Sequence, residues 1–170
     1  ERALWAGIAG LGDTELADTL DLWLAPLLAG KRRLSDIDSG ALDNAMLGLI
    51  GWDGQQAIER LAPPHFTSPA GTTHAIDYSA ESGPMVELRV QALFGLAEHP
   101  VIGTKRTPLV LSLTSPAGRP IQTTRDLPGF WKGSWADVAK EMRGRYPKHN
   151  WPDEPTAAAA SLKTKKKQGL

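Results

Sequence analysis

A chain of 170 residues with 41% apolar and 22% charged side chains has room for one domain or two small ones, and enough apolar mass for a core. It has no cysteine, which excludes a disulfide framework, thiolate metal sites and a cysteine nucleophile. The net charge is zero but unevenly placed: residues 1–124 carry 9 basic and 14 acidic side chains (−5), residues 125–170 carry 10 and 5 (+5). A basic end on a neutral chain points to an anionic partner such as nucleic acid, or to a solvated tail. No apolar run approaches the roughly 20 residues of a membrane span. Asp13, Glu15, Asp18 and Asp21 break any signal-peptide pattern, and the lack of cysteine suits the reducing cytoplasm, the expected location. Because the chain begins at Glu1, it reads as a piece of a longer polypeptide.

In chain order, Leu16, Leu20, Trp23, Leu24, Leu27 and Leu28 recur at helical spacing, with Thr14 as the expected N-cap and Gly30 as the stop. Pro26 should kink or split this helix. A second helix is expected from the Ser35–Gly40 polar cluster to about Ile50, and a third over Gln55–Leu61, ended by Pro63-Pro64. About 60 residues bury too little surface to stand comfortably alone, so this part should pack on something.

The pattern changes after Pro64. Pro69-Ala-Gly71 and Ser115-Pro-Ala-Gly118 are turn signals of one type, each followed by polar/apolar alternation. They predict hairpins Phe66–Ser68 with Thr73–Tyr78, and Leu109–Thr114 with Pro120–Thr124. Met85–Gly95 should begin as a strand and end as a short helix. Leu127–Trp131 reads as an aromatic turn. A last helix should run from Ser134, its cap, to about Gly144, with Asp137 as a capping-box acid and Trp135, Val138, Ala139 and Met142 on its apolar stripe. The predicted fold class is α+β: an N-terminal helical subdomain (1–62), a small OB-like β-barrel (63–126), a C-terminal helix with a proline-rich extension capping it (127–152), and a flexible basic tail (153–170).

No phosphate-binding loop and no acid pair for a nucleotide-bound Mg²⁺ is present. Gly7, Gly10 and Gly12 read as helix-connection glycines. No two of His65, His74, His99 and His149 stand at metal-ligand spacing, and all four read as surface or turn residues. Ser134 lacks the second glycine of a nucleophile elbow. No catalytic or metal residue is therefore named, and an independent enzyme is the least supported class.

The informative stretch is Arg119–Trp151. It interleaves Arg119, Arg125, Lys132, Lys140, Arg143, Arg145 and Lys148 with Phe130, Trp131, Trp135, Tyr146 and Trp151. Cations neutralise phosphates and aromatics stack on bases, so the nucleic-acid-binding candidates are Arg125, Trp131, Lys132, Arg143, Arg145, Tyr146 and Lys148. The structural alternative is that the aromatics anchor the last helix, Trp135 above all, and that the arginines are solvated. On that alternative the stretch docks on other protein and never meets nucleic acid. Burial of the aromatics discriminates the two.

The segments RDLPGFWKGSW (125–135) and MRGRYPKHNWPDEP (142–155), within a run from Thr107 to Asp153, resemble the C-terminal region of the bacterial HrpB helicases, which are DEAH-type and ATP-dependent. Trp23–Gly30 is similar more loosely to the helical segment before it. The resemblance covers most of residues 4–155. It implies an accessory portion of an RNA helicase: the end of its helical domains, an OB-like domain and a family-specific extension. The partners it implies are single-stranded RNA, or DNA, and the motor domains of the same polypeptide, with no membrane partner. ATP and Mg²⁺ would belong to those upstream motor domains, since none of their motifs matches a position here. The family lends no role to single residues of this extension.

Overall fold

In the computed structural model, which describes residues 1–169, the chain divides into two units. One comprises Glu1–Pro63 with Ile102–Lys105, the other Pro64–Val101 with Arg106 onward.

The first unit is helical. It contains α1 (Arg2–Ala6), three short helices α2 (Asp13–Asp18), α3 (Leu20–Trp23) and α4 (Ala25–Leu28), then α5 (Ser39–Gly48) and α6 (Gly51–Leu61). The expected long helix is split, with one break at Pro26's own segment and another at Thr19, whose hydroxyl donates back to Glu15 O. Gly12, not Thr14, occupies the N-cap of α2. The α5 cap is Asp38, which accepts from Ala41 N. Arg2 ties α1 to α6 through Ala62 O and an ion pair with Glu59, both at 2.8 Å. Residues 102–105 complete the unit: Gly103 N–H donates to Leu61 O at the end of α6 (2.7 Å). Gly103 has a φ of +70°, and any Cβ there would collide with Trp5 O, so both conformation and space demand glycine. The unit's buried apolar residues are few: Ala3, Ala6, Ile58, Ala62 and Ile102. Trp52 is 72% exposed, and Leu22 and Leu34 also stand open.

The second unit holds strands β1 (His65–Thr67), β2 (Thr73–Ala75), β3 (Met85–Arg89), β4 (Val101–Ile102, whose second residue belongs to the first unit), β5 (Thr107–Pro108), β6 (Val110–Thr114) and β7 (Pro120–Thr124), then α7 (Leu127–Lys132), α8 (Trp135–Arg145) and α9 (Lys165–Gln168). Both expected hairpins form, β1 with β2 and β6 with β7. Each turns on the same Ser-Pro-Ala-Gly sequence, with Gly71 and Gly118 both at φ +75°. Met85–Gly95 splits as expected into β3 and a 3₁₀ turn, Val90–Leu93.

The barrel does not close. Among the described residues the strands form a three-stranded sheet, β3-β6-β7, and two separate pairs, β1-β2 and β4-β5. β3 and β6 run parallel, with Val86 beside Leu111 and Leu88 beside Leu113. β7 has one neighbour, and the chain just after β2 meets β3 in a single isolated bridge, Asp77 to Met85. A closed sheet needs every strand paired on both sides, which strands of two to five residues in this order do not provide. Central β6 is a near-continuous apolar run buried on both faces, as a parallel partner requires. The mixed α and β composition stands, with a small open sheet in place of the barrel.

Candidate nucleic-acid interface

The aromatic residues of the basic stretch converge inside the second unit. Asp126 caps α7 by accepting from Gly129 N, so the expected aromatic turn is a helix that aims Phe130 and Trp131 inward. α8 brings Trp135 to them, and Trp151 arrives from the proline-rich segment. Trp135 is the hub, 1% exposed, with ring centroids 5.4 Å from Phe94, 6.1 Å from Phe130, 5.3 Å from Trp131 and 6.4 Å from Trp151. Edge-to-face pairs of this kind add about 0.5–1.5 kcal/mol each beyond their burial. Every indole N–H is bound to a backbone carbonyl: Trp131 to Leu96, Trp135 to Pro152 and Trp151 to Tyr146, each at 2.9 Å. At 7% exposure, Trp131 offers no open ring face to a base; it holds the surface rigid instead. Tyr146 is half-buried, and its hydroxyl shares a 3.2 Å hydrogen bond with Ser115 Oγ.

The cations lie outside this cluster and divide into kinds. Arg143 is spent on the fold: its guanidinium makes a forked contact to Trp151 O (3.0 and 2.8 Å) and pairs with Asp153. Arg125 donates to Ser82 O. Lys132 is exposed, on a hollow of about 560 Å³ shared with the edge of Trp131, Asp153 and Glu154, where the two carboxylates oppose a polyanion. Arg145 pairs with Glu141 at 3.0 Å on the surface of α8. It also lines a half-enclosed notch of about 110 Å³ with Arg119, Tyr146 and Ser115. Two guanidiniums against one carboxylate leave this notch positive. Lys148 is exposed and has no ion-pair partner among the described residues. The structure thus brings Arg145, Tyr146 and Arg119 together, places Trp131 and Lys132 on a different hollow, and turns Arg143 into a structural clamp. Among the described residues no cluster of three His, Cys, Asp or Glu side chains is placed to hold a metal, and no helix is long and apolar enough to cross a membrane.

The model of a family described as the C-terminal region of ATP-dependent helicases matches residues 23–155. The chain belongs to the HrpB C-terminal family. It is 45% identical over 154 residues to the ATP-dependent RNA helicase HrpB of Escherichia coli (strain K12), covering 91% of this chain and 19% of that protein. It is also similar to two crystal structures from E. coli at 42% identity. One, described as the DExH-box NTPase HrpB, superposes with a TM-score of 0.82 over 94% of this chain and 20% of that one. The other, described as the DEAH/RHA helicase HrpB, gives 0.63 over 82% and 18%. The chain spans about a fifth of the length of these relatives.

Two features of this HrpB C-terminal module escaped the sequence reading. His99, expected at the surface, is half-buried and joins two elements: Nε2–H donates to Leu109 O (2.8 Å), and Nδ1 accepts from Leu127 N (3.0 Å), the first donor of α7. Burial lowers its pKa, against weaker raising effects of the Leu109 carbonyl and the Asp126 charge. Nothing in local sequence marks a histidine that closes a contact 28 residues away, although Asp126 with Pro128 behind it was a readable helix start. Ser134 meanwhile makes no side-chain cap to α8, so the expected capping box with Asp137 is not formed.

The segment read as a flexible tail has fixed points. Pro155 is buried, and its carbonyl accepts from Gly95 N (2.9 Å). Gly95 has a φ of +82°, and a Cβ there would lie 3.3 Å from Ala158 O. Gly95→Ala is therefore expected to cost about 1–2 kcal/mol, read as a lowered urea midpoint with unchanged slope.

Proposed function

We propose that this chain is the C-terminal accessory module of an ATP-dependent RNA helicase, and that it meets single-stranded nucleic acid through phosphate-directed cations, with its aromatics acting as an internal brace. Burial of the indoles, with their N–H groups bound, counts against base stacking and toward the docking alternative; the observation that carries phosphate contact is that Arg119, Arg145 and Lys148 stay outside. Such a surface is sequence-tolerant, as a strand mover requires, and it binds by counterion release. ATP and Mg²⁺ are assigned to motor domains beyond this chain, in a cytoplasmic protein; no residue here is given to them.

The test is a salt-dependent titration with a short single-stranded RNA. Arg145→Ala with Lys148→Ala should lower the log–log salt slope by about 1–1.5, at roughly 0.7 per lost phosphate contact on a single strand. Losing the exposed Arg145–Glu141 pair should cost only about 0.3–0.5 kcal/mol of stability. A strand carrying abasic sites should bind as tightly as the normal one. A large loss on removing the bases would restore stacking, and no binding at low salt would sink strand contact.

A second reading rests on a separate observation. Trp52, Leu22 and Leu34 of the helical unit are 72%, 65% and 70% exposed, which is the surface expected of a module that packs on the motor domains. If no strand binds, this docking role is the one that remains.

A further inference from the structure

Deepening the strand-contact reading, and resting on it, we infer that the C-terminal segment builds a second cationic surface: Lys163, Lys165, Lys166 and Lys167, laid beside Lys148 and Arg89, take the phosphate backbone of single-stranded nucleic acid. After its attachment at Gly95, the segment returns to the fold at one further point, where Lys165 N–H donates to Lys148 O at 2.8 Å. Gln168 Nε2 closes the end of the segment on Lys163 O. The ring of His149, next in sequence to Lys148, lies against the Lys163 backbone and within the field of Arg89 at the end of β3; burial chiefly, and then that positive field, hold its pKa down against the raising effect of the Lys163 backbone. Arg89, Lys148, Lys163, Lys165, Lys166 and Lys167 are all exposed, and among the described residues none has an ion-pair partner. Residues 155–170 contain no acid.

The chemistry favours nucleic acid over other occupants. Leu162 is the one large apolar side chain between residues 156 and 167, so the segment has no apolar face for a membrane surface or a groove. Five of the six cations are lysines. Lysine is depleted in protein–protein interfaces but serves well as a point charge against phosphate.

The backbone bond at Lys165 allows a clean test, because it can be removed without changing anything else but charge. Lys165 is the first residue of α9, where proline is tolerated, and Thr164 before it already has φ −69° and ψ 158°, as a residue preceding proline prefers. Lys165→Pro removes the charge and the N–H; Lys165→Gln removes the charge alone. In a titration of the full chain with single-stranded RNA at low salt, Lys165→Pro should bind about threefold to tenfold more weakly than Lys165→Gln, the factor for one lost hydrogen bond. Ending the chain at Ala160 should lower the salt slope by about 2–3, since four lysines leave. If Lys165→Pro and Lys165→Gln bind alike while the wild-type chain still binds, the segment is a loose polycation and the built surface is overturned. If poly-glutamate binds as tightly as the RNA at equal salt, nucleic acid is overturned as the occupant. If the wild-type chain binds no strand at all, it is the strand-contact reading that has failed.

Discussion

Trp135→Ala is expected to lower the stability of the β-containing unit by about 3–5 kcal/mol, the range for deleting a fully buried large aromatic. The cost has three sources. The cavity faces four other rings, of which Phe94, Phe130 and Trp131 forfeit edge contacts with the indole and Trp151 a tilted one. Pro152 O loses its donor. Finally, the cluster is the means by which α7, α8 and the 151–155 segment share one core, so neighbouring rings cannot collapse into the gap without moving a helix. Urea unfolding followed by tryptophan emission measures the loss. A cost below about 1 kcal/mol would mean that the cluster does not brace the unit. Loss of strand binding in this variant at a temperature where it is still folded would also count against the division between internal aromatics and external cations.

His99→Ala is expected to cost about 2–4 kcal/mol and to blunt the acid sensitivity of the fold. The substitution strips Leu109 O of a donor and leaves the buried Leu127 N–H without its acceptor. The sign of the pH effect follows from the lowered pKa. Above the unfolded value of about 6.5 the ring is neutral in both states, and its contribution is fully present. As the pH falls from there through the lower folded value, the unfolded chain gains a proton that the folded one resists, so stability declines. In the folded state a protonated Nδ1 would present a donor to the Leu127 donor. His74 and His149, also lowered chiefly by burial, act in the same direction. Urea midpoints at pH 7.5 and 5.5 should therefore fall for the wild-type chain, and fall less for His99→Ala. An equal drop in both would remove His99 from the account.

The parts legible in the sequence were those governed by local chemistry. Both Ser-Pro-Ala-Gly turns and the β6–β7 hairpin follow from residues within four positions of each other, and Pro26 broke its helix as its geometry demands. The stripe of Trp135, Val138, Ala139 and Met142 was readable from helical spacing; Trp135, Ala139 and Met142 are buried and Val138 is half-buried. What local pattern did not supply was pairing at a distance. β3 chose β6 as a parallel neighbour across a crossover, so strands that looked fit for a barrel assembled as an open sheet with short side pairs. The candidate site divides along the same line. Composition located the basic-aromatic stretch, but only packing decides that Trp131 turns inward and that Arg143 clamps Trp151 O, while Arg145 joins Arg119 at an open notch.

The helical unit draws one of its pieces from residues 102–105, which follow β1, β2 and β3 in sequence. No single scission can therefore isolate it. A product ending at Pro63 would leave the last turn of α6 without the Gly103 donor and would empty the close seat against Trp5 O. Dissecting this protein into separately expressed halves calls for a circularly rearranged or insertion-deleted gene, not a stop codon.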